Sequence, residues 1–263
     1  MWIGVGRSTG GVGGTTAALE LAYAASRRRK GRRLRRVAFI DLNPSAEATA
    51  CLEPWERRGG IKDVLAADDP VPLRDVLVPT AWQRVYLAPA ERTLTNRAAD
   101  LLPATIDVLR RARLSGDVAD LVDDVILDLP SGSGKLTTAG MLGAEHLLIA
   151  TRASLWAAQG AEETRYAATR IQKAGNPELR IDGYVVSQYE ETSEARRVLE
   201  LMQSRYGILA VNKIPRNVLV RESIESYHTP CRLFGSDELI SIADGYQDIY
   251  DRLLKKGGPL DGE

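Results

Sequence analysis

Short apolar runs alternate along this chain with longer stretches in which apolar residues recur every three or four positions. The runs are WIGVG (2–6), VAFID (37–41), VYLA (85–88), VILDL (125–129), LLIAT (147–151), IDGYVVS (181–187) and ILAV (208–211), with a further short strand expected at 232–234. The 3.6-residue period predicts a helix from Thr15 to about Arg29, with Ala18, Leu19, Ala22 and Tyr23 facing inward, and a long helix over Arg97–Arg113. It also predicts a last helix in which Leu239, Ile242, Ala243, Tyr246, Ile249, Tyr250, Leu253 and Leu254 share one face. Residues 61–66 and 73–78 read as short helical turns punctuated by Pro70, Pro72 and Pro79. Uniformly apolar strands separated by helices imply an α/β fold: a doubly wound, mostly parallel sheet covered on both faces. No repeat or low-complexity linker divides the chain, so a single domain over 1–256 and a flexible tail over 257–263 are expected.

Composition changes this picture little, and charge changes it in one place. The chain has 263 residues and zero formal net charge. Residues 27–36, RRRKGRRLRR, hold eight basic residues and no acid, which leaves 27 basic against 35 acidic side chains elsewhere. Arg27, Arg28, Arg29, Lys30, Arg32 and Arg33 could contact nucleic-acid phosphates, with Arg252, Lys255 and Lys256 adding to the footprint. The same run could equally be a solvated turn between helix and strand. Cys51 and Cys231 lack CxxC partners, so zinc and redox motifs have no support and two buried thiols are expected. His146 and His228 stand apart from any nucleophile spacing. Trp55 and Trp82 could be partner contacts, but packing in the core or a satellite cluster is expected for both. With a strand opening at Trp2 and no long apolar run, the expectation is a cytoplasmic protein without a membrane segment.

The candidate chemistry begins where the first strand ends, at VGRSTGGVGGTT (5–16). Open parallel sheets bind ligands beyond the carboxyl ends of their strands. Gly10, Gly11, Gly13 and Gly14, with Val12 among them, allow main-chain N–H groups to turn toward an anion, and the following helix adds its N-terminal dipole. Thr15 is placed to ligate Mg²⁺ and Thr16 to reach a phosphate oxygen. Taken alone, such a stretch could also be a structural turn. Asp128, at the end of a later strand, has the position of a carboxylate that holds Mg²⁺ through water.

Together these segments resemble the ParA/MinD group of deviant Walker-box ATPases. Its signatures KGGVGKTT, DxDPQxxxT and DTPP are similar to TGGVGGTT (9–16), DLNPSAEAT (41–49) and DLPS (128–131) here. VNKIPRNVLVRESIESYHTP (211–230) resembles the IPRN segment of ParA proteins, and 61–94 the region before their long helix. The resemblance implies a P-loop fold, ATP or ADP and Mg²⁺ as ligands, and Pro215 and Asn217 near an adenine base. It further implies a homodimer, non-specific DNA binding at the nucleoid, and a ParB-like or other adaptor.

The departures from the family pattern fall on its chemistry. The P-loop lysine is replaced by Gly14, the lysine that reaches a partner's phosphates by Thr9, and the hydrolytic carboxylate by Asn43. Losing one charge-assisted hydrogen bond costs about 1.5–3 kcal/mol, or roughly ten- to a hundredfold in affinity. Turnover, which depends on stabilising charge in the transition state, should suffer more. Lys135, just after Asp128, is one candidate substitute cation, unless it is only a solvated loop lysine. Arg7, closing the first strand, is another. Two readings follow: a weak ATP switch with impaired or absent hydrolysis, or a scaffold that binds DNA or a partner without nucleotide control. A third, weaker one places another phosphorylated ligand in the crevice.

Overall fold

A computed structural model describes residues 1–256 apart from 8, 57, 104 and 207–209. Strands β1 (Trp2–Arg7), β4 (Val37–Asp41), β5 (Val78–Pro79), β6 (Val85–Ala88), β7 (Asp124–Ser131), β8 (His146–Thr151), β9 (Arg180–Tyr189) and β10 (Ala210–Pro215) form one sheet, and β2 (Arg29–Lys30) pairs with β3 (Arg33–Leu34) outside it. The order across the sheet is β10-β9-β8-β1-β7-β4-β6-β5, with β5 antiparallel to β6 and every other pairing parallel. The expected doubly wound α/β architecture is therefore present. Of the strand expected at 208–211, residues 208 and 209 lie outside the described residues, as does the tail 257–263.

The helices are α1 (Gly14–Ser26), α2 (Glu47–Leu52), α3 (Ile61–Val64), α4 (Leu73–Val76), α5 (Leu94–Asp100), α6 (Val108–Ser115), α7 (Lys135–Gly143), α8 (Leu155–Ala174), α9 (Ser193–Tyr206), α10 (Val218–Arg221), α11 (Cys231–Phe234) and α12 (Asp237–Lys256), with a π turn at Glu222–Ser226. Strand alternation sorts them into two layers. Ile3 and Val5 of β1 face α1 and α12, where Leu19, Ala22, Ile242, Tyr246 and Tyr250 are buried. Trp2, Ile40, Leu127 and Leu129 face the other way, toward α7, α8 and α9. The apolar face of α12 is thus spent on its own fold. Among the described residues no helix is long and apolar enough to cross a membrane. Both cysteines are buried.

Four expectations need correction. The long helix over 97–113 is broken into α5 and α6, because Pro103 removes an N–H and disfavours a helical conformation at the residue before it. Residues 232–234 form the helical turn α11 instead of a strand, bounded by Pro230 and by left-handed Gly235. The first helix stops at Ser26, and the basic run turns back at Gly31 (φ 63°) as a hairpin. Trp55 is 74% exposed, whereas Trp82 packs edge-on against Tyr23 and donates its indole N–H to the His228 carbonyl.

One buried acid crosses the α1–α11 seam. Glu20 accepts the Cys231 N–H at 2.8 Å, and burial pushes its carboxyl up to about 6. The folded state therefore binds that proton more tightly than the unfolded chain. Its effect on stability is most favourable below about pH 4.5 and is lost as pH rises through 6. We expect Glu20→Gln to stabilise the protein above pH 6 by about 1–2 kcal/mol and to flatten the pH dependence of Tm between 4.5 and 6. Urea unfolding above pH 6 checks the first, and thermal melting followed from pH 4 to 7 checks the second.

Candidate phosphate-binding site

The loop after β1 takes the shape its glycines permit. Gly11 (φ 71°) and Gly13 (φ 73°) are left-handed, a conformation costly for any residue with a Cβ. Between them Val12 is turned into the apolar layer under α1. α1 then begins at Gly14 with no side-chain cap, so its first N–H groups are directed at whatever lies beyond the helix. The neighbouring strand end clamps the loop from outside. Ser187 Oγ donates to the Val12 carbonyl at 2.5 Å, and Gln188 Nε2 to that of Gly11 at 3.3 Å. A Cβ at position 13 would stand 2.8 Å from Ser187 Oγ. No motif marked Ser187 or Gln188, because their role arises only when β9 is laid beside β8.

Beneath the loop lies a closed polar ring. Arg7 Nη1 donates to Asp128 Oδ1 at 2.7 Å, Arg7 Nη2 to Thr15 Oγ1 at 3.0 Å, and Thr15 Oγ1 to Asp128 Oδ2 at 2.9 Å. Arg7 is 5% exposed and Asp128 fully buried. The pairing of β1 with β7 shifts register between Val5 and Arg7, where Val5 faces Asp128 and Arg7 faces Ser131. That irregularity, which re-aims the strand end, carries the guanidinium under the first turn of α1. Thr15 and Asp128, the expected metal pair, are thus brought together with a third group already bonded to both. The guanidinium bonds both groups, so Thr15 and Asp128 could hold a metal ion only if Arg7 were displaced from them. This arrangement of residues does not fit Mg²⁺.

The loop opens onto a cavity of about 770 Å³ lined by Arg7, Gly10, Gly11, Gly13, Gly14, Thr15 and Thr16, and farther out by Asn43, Pro215 and Asn217. The expected nucleotide-facing residues therefore converge, apart from Val12, which is buried behind them. Lys135 is not among the lining residues. It is the exposed first residue of α7, beyond the Gly132 turn. The cations that line the cavity are Arg7, Arg152, Arg216 and Arg221, the last two paired with Glu190 and Glu225. Asn43 holds its own turn, its Oδ1 accepting from the Ser45 N–H at 3.3 Å. Beside it Asp41 is buried and accepts from the N–H of Asn43 and from the N–H and hydroxyl of Thr49; burial and then the nearby Asp128 carboxylate push it upward. Asn217 Oδ1 caps α10 through the Leu219 N–H.

The basic hairpin lies at the opposite, amino-terminal end of the strands, and acids meet much of it there. Arg28 pairs with Asp251, Lys30 and Arg33 with Asp123, and Arg35 with Asp124. Against the cost of its burial, Asp123 is held well below the usual carboxylate range by Arg33, the Arg36 N–H and Lys30. Arg27, Arg29 and Arg32 remain exposed, with Arg29 bonding the Arg32 carbonyl. Arg252 bonds Asn212, Lys255 is exposed, and Lys256 closes α12.

Residues 1–181 match the family model described as an AAA domain. The chain is 25% identical over 268 residues to the chromosome partitioning protein ParA of Myxococcus xanthus, covering 98% of this chain and 91% of that one. Among solved structures, cobyrinic acid a,c-diamide synthase from Mycobacterium smegmatis with bound ADP and magnesium superposes with a TM-score of 0.77 at 26% identity, covering 98% and 96% of the two chains. The ATP complex of Cyanothece McdA(D38A) superposes with a TM-score of 0.84 at 18% identity, covering 96% and 95%, a likeness of fold.

Replacing Arg7 by Met leaves the buried Asp128 carboxylate without its counter-charge. Breaking a buried pair from one side costs about 3–5 kcal/mol, so a fall of that size is expected in urea unfolding. Adding Asp128→Asn should recover about half of it.

Proposed function

This chain belongs to the AAA-domain family, within its ParA/MinD-like P-loop group, and on that basis we propose that it positions DNA or another cargo through nucleotide-linked contacts. The observation that carries the reading is the loop over residues 10–16, whose main chain faces a cavity reaching Pro215–Asn217 with a guanidinium beneath it. Preorganised N–H groups and a fixed cation are what a polyphosphate requires. ATP or ADP would lie along the cavity, its phosphates on the amides of residues 11–16 and its base beside Pro215 and Asn217. Relatives with bound ADP and magnesium, or with ATP, support this class of ligand. The partition relative supports the cellular role.

Hydrolysis in this reading is slow or absent. Asn43 offers an amide where an attacking water would need a base, and its oxygen is engaged in its own turn. Binding would order a homodimer, as in the family the sequence resembles, and the dimer would hold nucleoid DNA through the exposed hairpin arginines. An adaptor of the ParB type would couple cargo to it. One observation favours a second reading, a scaffold without nucleotide control. The hairpin stands at the far end of the sheet from the loop, with several of its cations already neutralised by Asp123, Asp124 and Asp251.

DNA affinity measured by fluorescence anisotropy with and without ATP separates these readings. The switch predicts at least tenfold tighter binding with ATP, and an equal affinity in both conditions supports the scaffold. In either case the triple variant Arg27→Ala, Arg29→Ala, Arg32→Ala should lower the slope of log K against log salt by about 2–3. ATP turnover should stay at the level of a buffer blank.

A further inference from the structure

The guanidinium under the loop and the glycine above it are sterically coupled. A Cβ at position 14 would stand 2.6 Å from Arg7 Cδ and 3.0 Å from Arg7 Cζ. The far end of a free arginine could step aside, but this one is bonded to both Asp128 and Thr15 and is 5% exposed. No side chain, and so no lysine, fits at 14 while Arg7 holds its place. We infer that Arg7 and Gly14 form a single exchange: the cation that a lysine at position 14 would supply enters from β1, and it occupies the ground between Thr15 and Asp128 as well.

The consequence concerns how phosphate is held, and it rests on the nucleotide reading above. Arg7 lines the cavity and gives two of its five N–H groups to Asp128 and Thr15. A guanidinium presents its donors in a planar fork suited to phosphate oxygens. Its charge is permanent and comes with the fold. A nucleoside di- or triphosphate therefore binds this loop without a divalent cation. Arg7 is the residue that sets this metal independence, and Gly14 is the residue that makes room for it.

The test needs no variant to begin. ATP is titrated into the full chain by calorimetry, once in millimolar MgCl₂ and once in EDTA. The inference expects dissociation constants within fivefold of each other. A loss of more than fivefold in EDTA overturns it and leaves the nucleotide reading standing. No binding in either buffer removes that reading and the inference with it. The second arm uses Gly14→Lys alone and Arg7→Gly/Gly14→Lys, with folding followed by circular dichroism and thermal melting. The single variant should melt lower than the parent, and the double variant should recover the loss and bind ATP at least tenfold more tightly with Mg²⁺ than in EDTA. A single variant as stable as the parent would show that Arg7 does not bar a side chain at 14 and would sink the coupling. A double variant that stays as destabilised as the single one, or binds ATP equally in both buffers, would do the same.

Discussion

Arg7 and Asp128 form an ion pair between adjacent strands at the point where the phosphate loop begins, and much of the site follows from it. Two charges removed from water persist only when each is matched and hydrogen-bonded. Asp128 meets that demand with both oxygens, one taken by the guanidinium and one by Thr15. The pair ties β1, β7 and the first turn of α1 together with three hydrogen bonds. It also sets what position 14 can hold and leaves the ground beside Thr15 occupied by a protein cation.

Holding a polyphosphate and cleaving it make different demands on such a site. Holding a polyphosphate asks for fixed donors and positive charge, which in the proposed reading the loop and Arg7 would provide. Rapid cleavage asks also for a poised water and for charge stabilisation at the leaving oxygen. Asn43 is engaged in its own turn and Asp41 is buried in hydrogen bonds to Thr49. The basic hairpin, meanwhile, is braced by Asp123 and Asp124 at the opposite end of the sheet, and α1 joins it to the loop.

The parallel sheet and most of its strands were legible because buried parallel strands must be apolar throughout, and their runs stand out between helical periods. The glycines of the loop, Thr15 and Asp128 were legible for a related reason: a tight anion-facing turn admits few residue types. Errors fell where local context outweighs period. Pro103 split a helix whose apolar spacing continues past it, and three residues after Pro230 had too little length to show any period. Arg7 was visible only as one of two candidate cations, since a strand-ending arginine has no recognisable spacing to Asp128 or Thr15.

What the sequence determined by itself is most of the parallel strands, the inward faces of α1 and α12, the glycines of the loop and the absence of a lysine within it. These are local properties, fixed by side-chain period and by the conformations glycine allows. Only the tertiary structure decided which cation lies beneath the loop, because residues 7, 15 and 128 meet through strand pairing and a register shift that no linear spacing encodes. The clamp of Ser187 and Gln188 on the loop, and the pairing of the arginine run with Asp123, Asp124 and Asp251, were decided in the same way. Each depends on which sheet edge or helix end comes to lie beside which, and that is settled by packing between segments 89 or more residues apart in the chain.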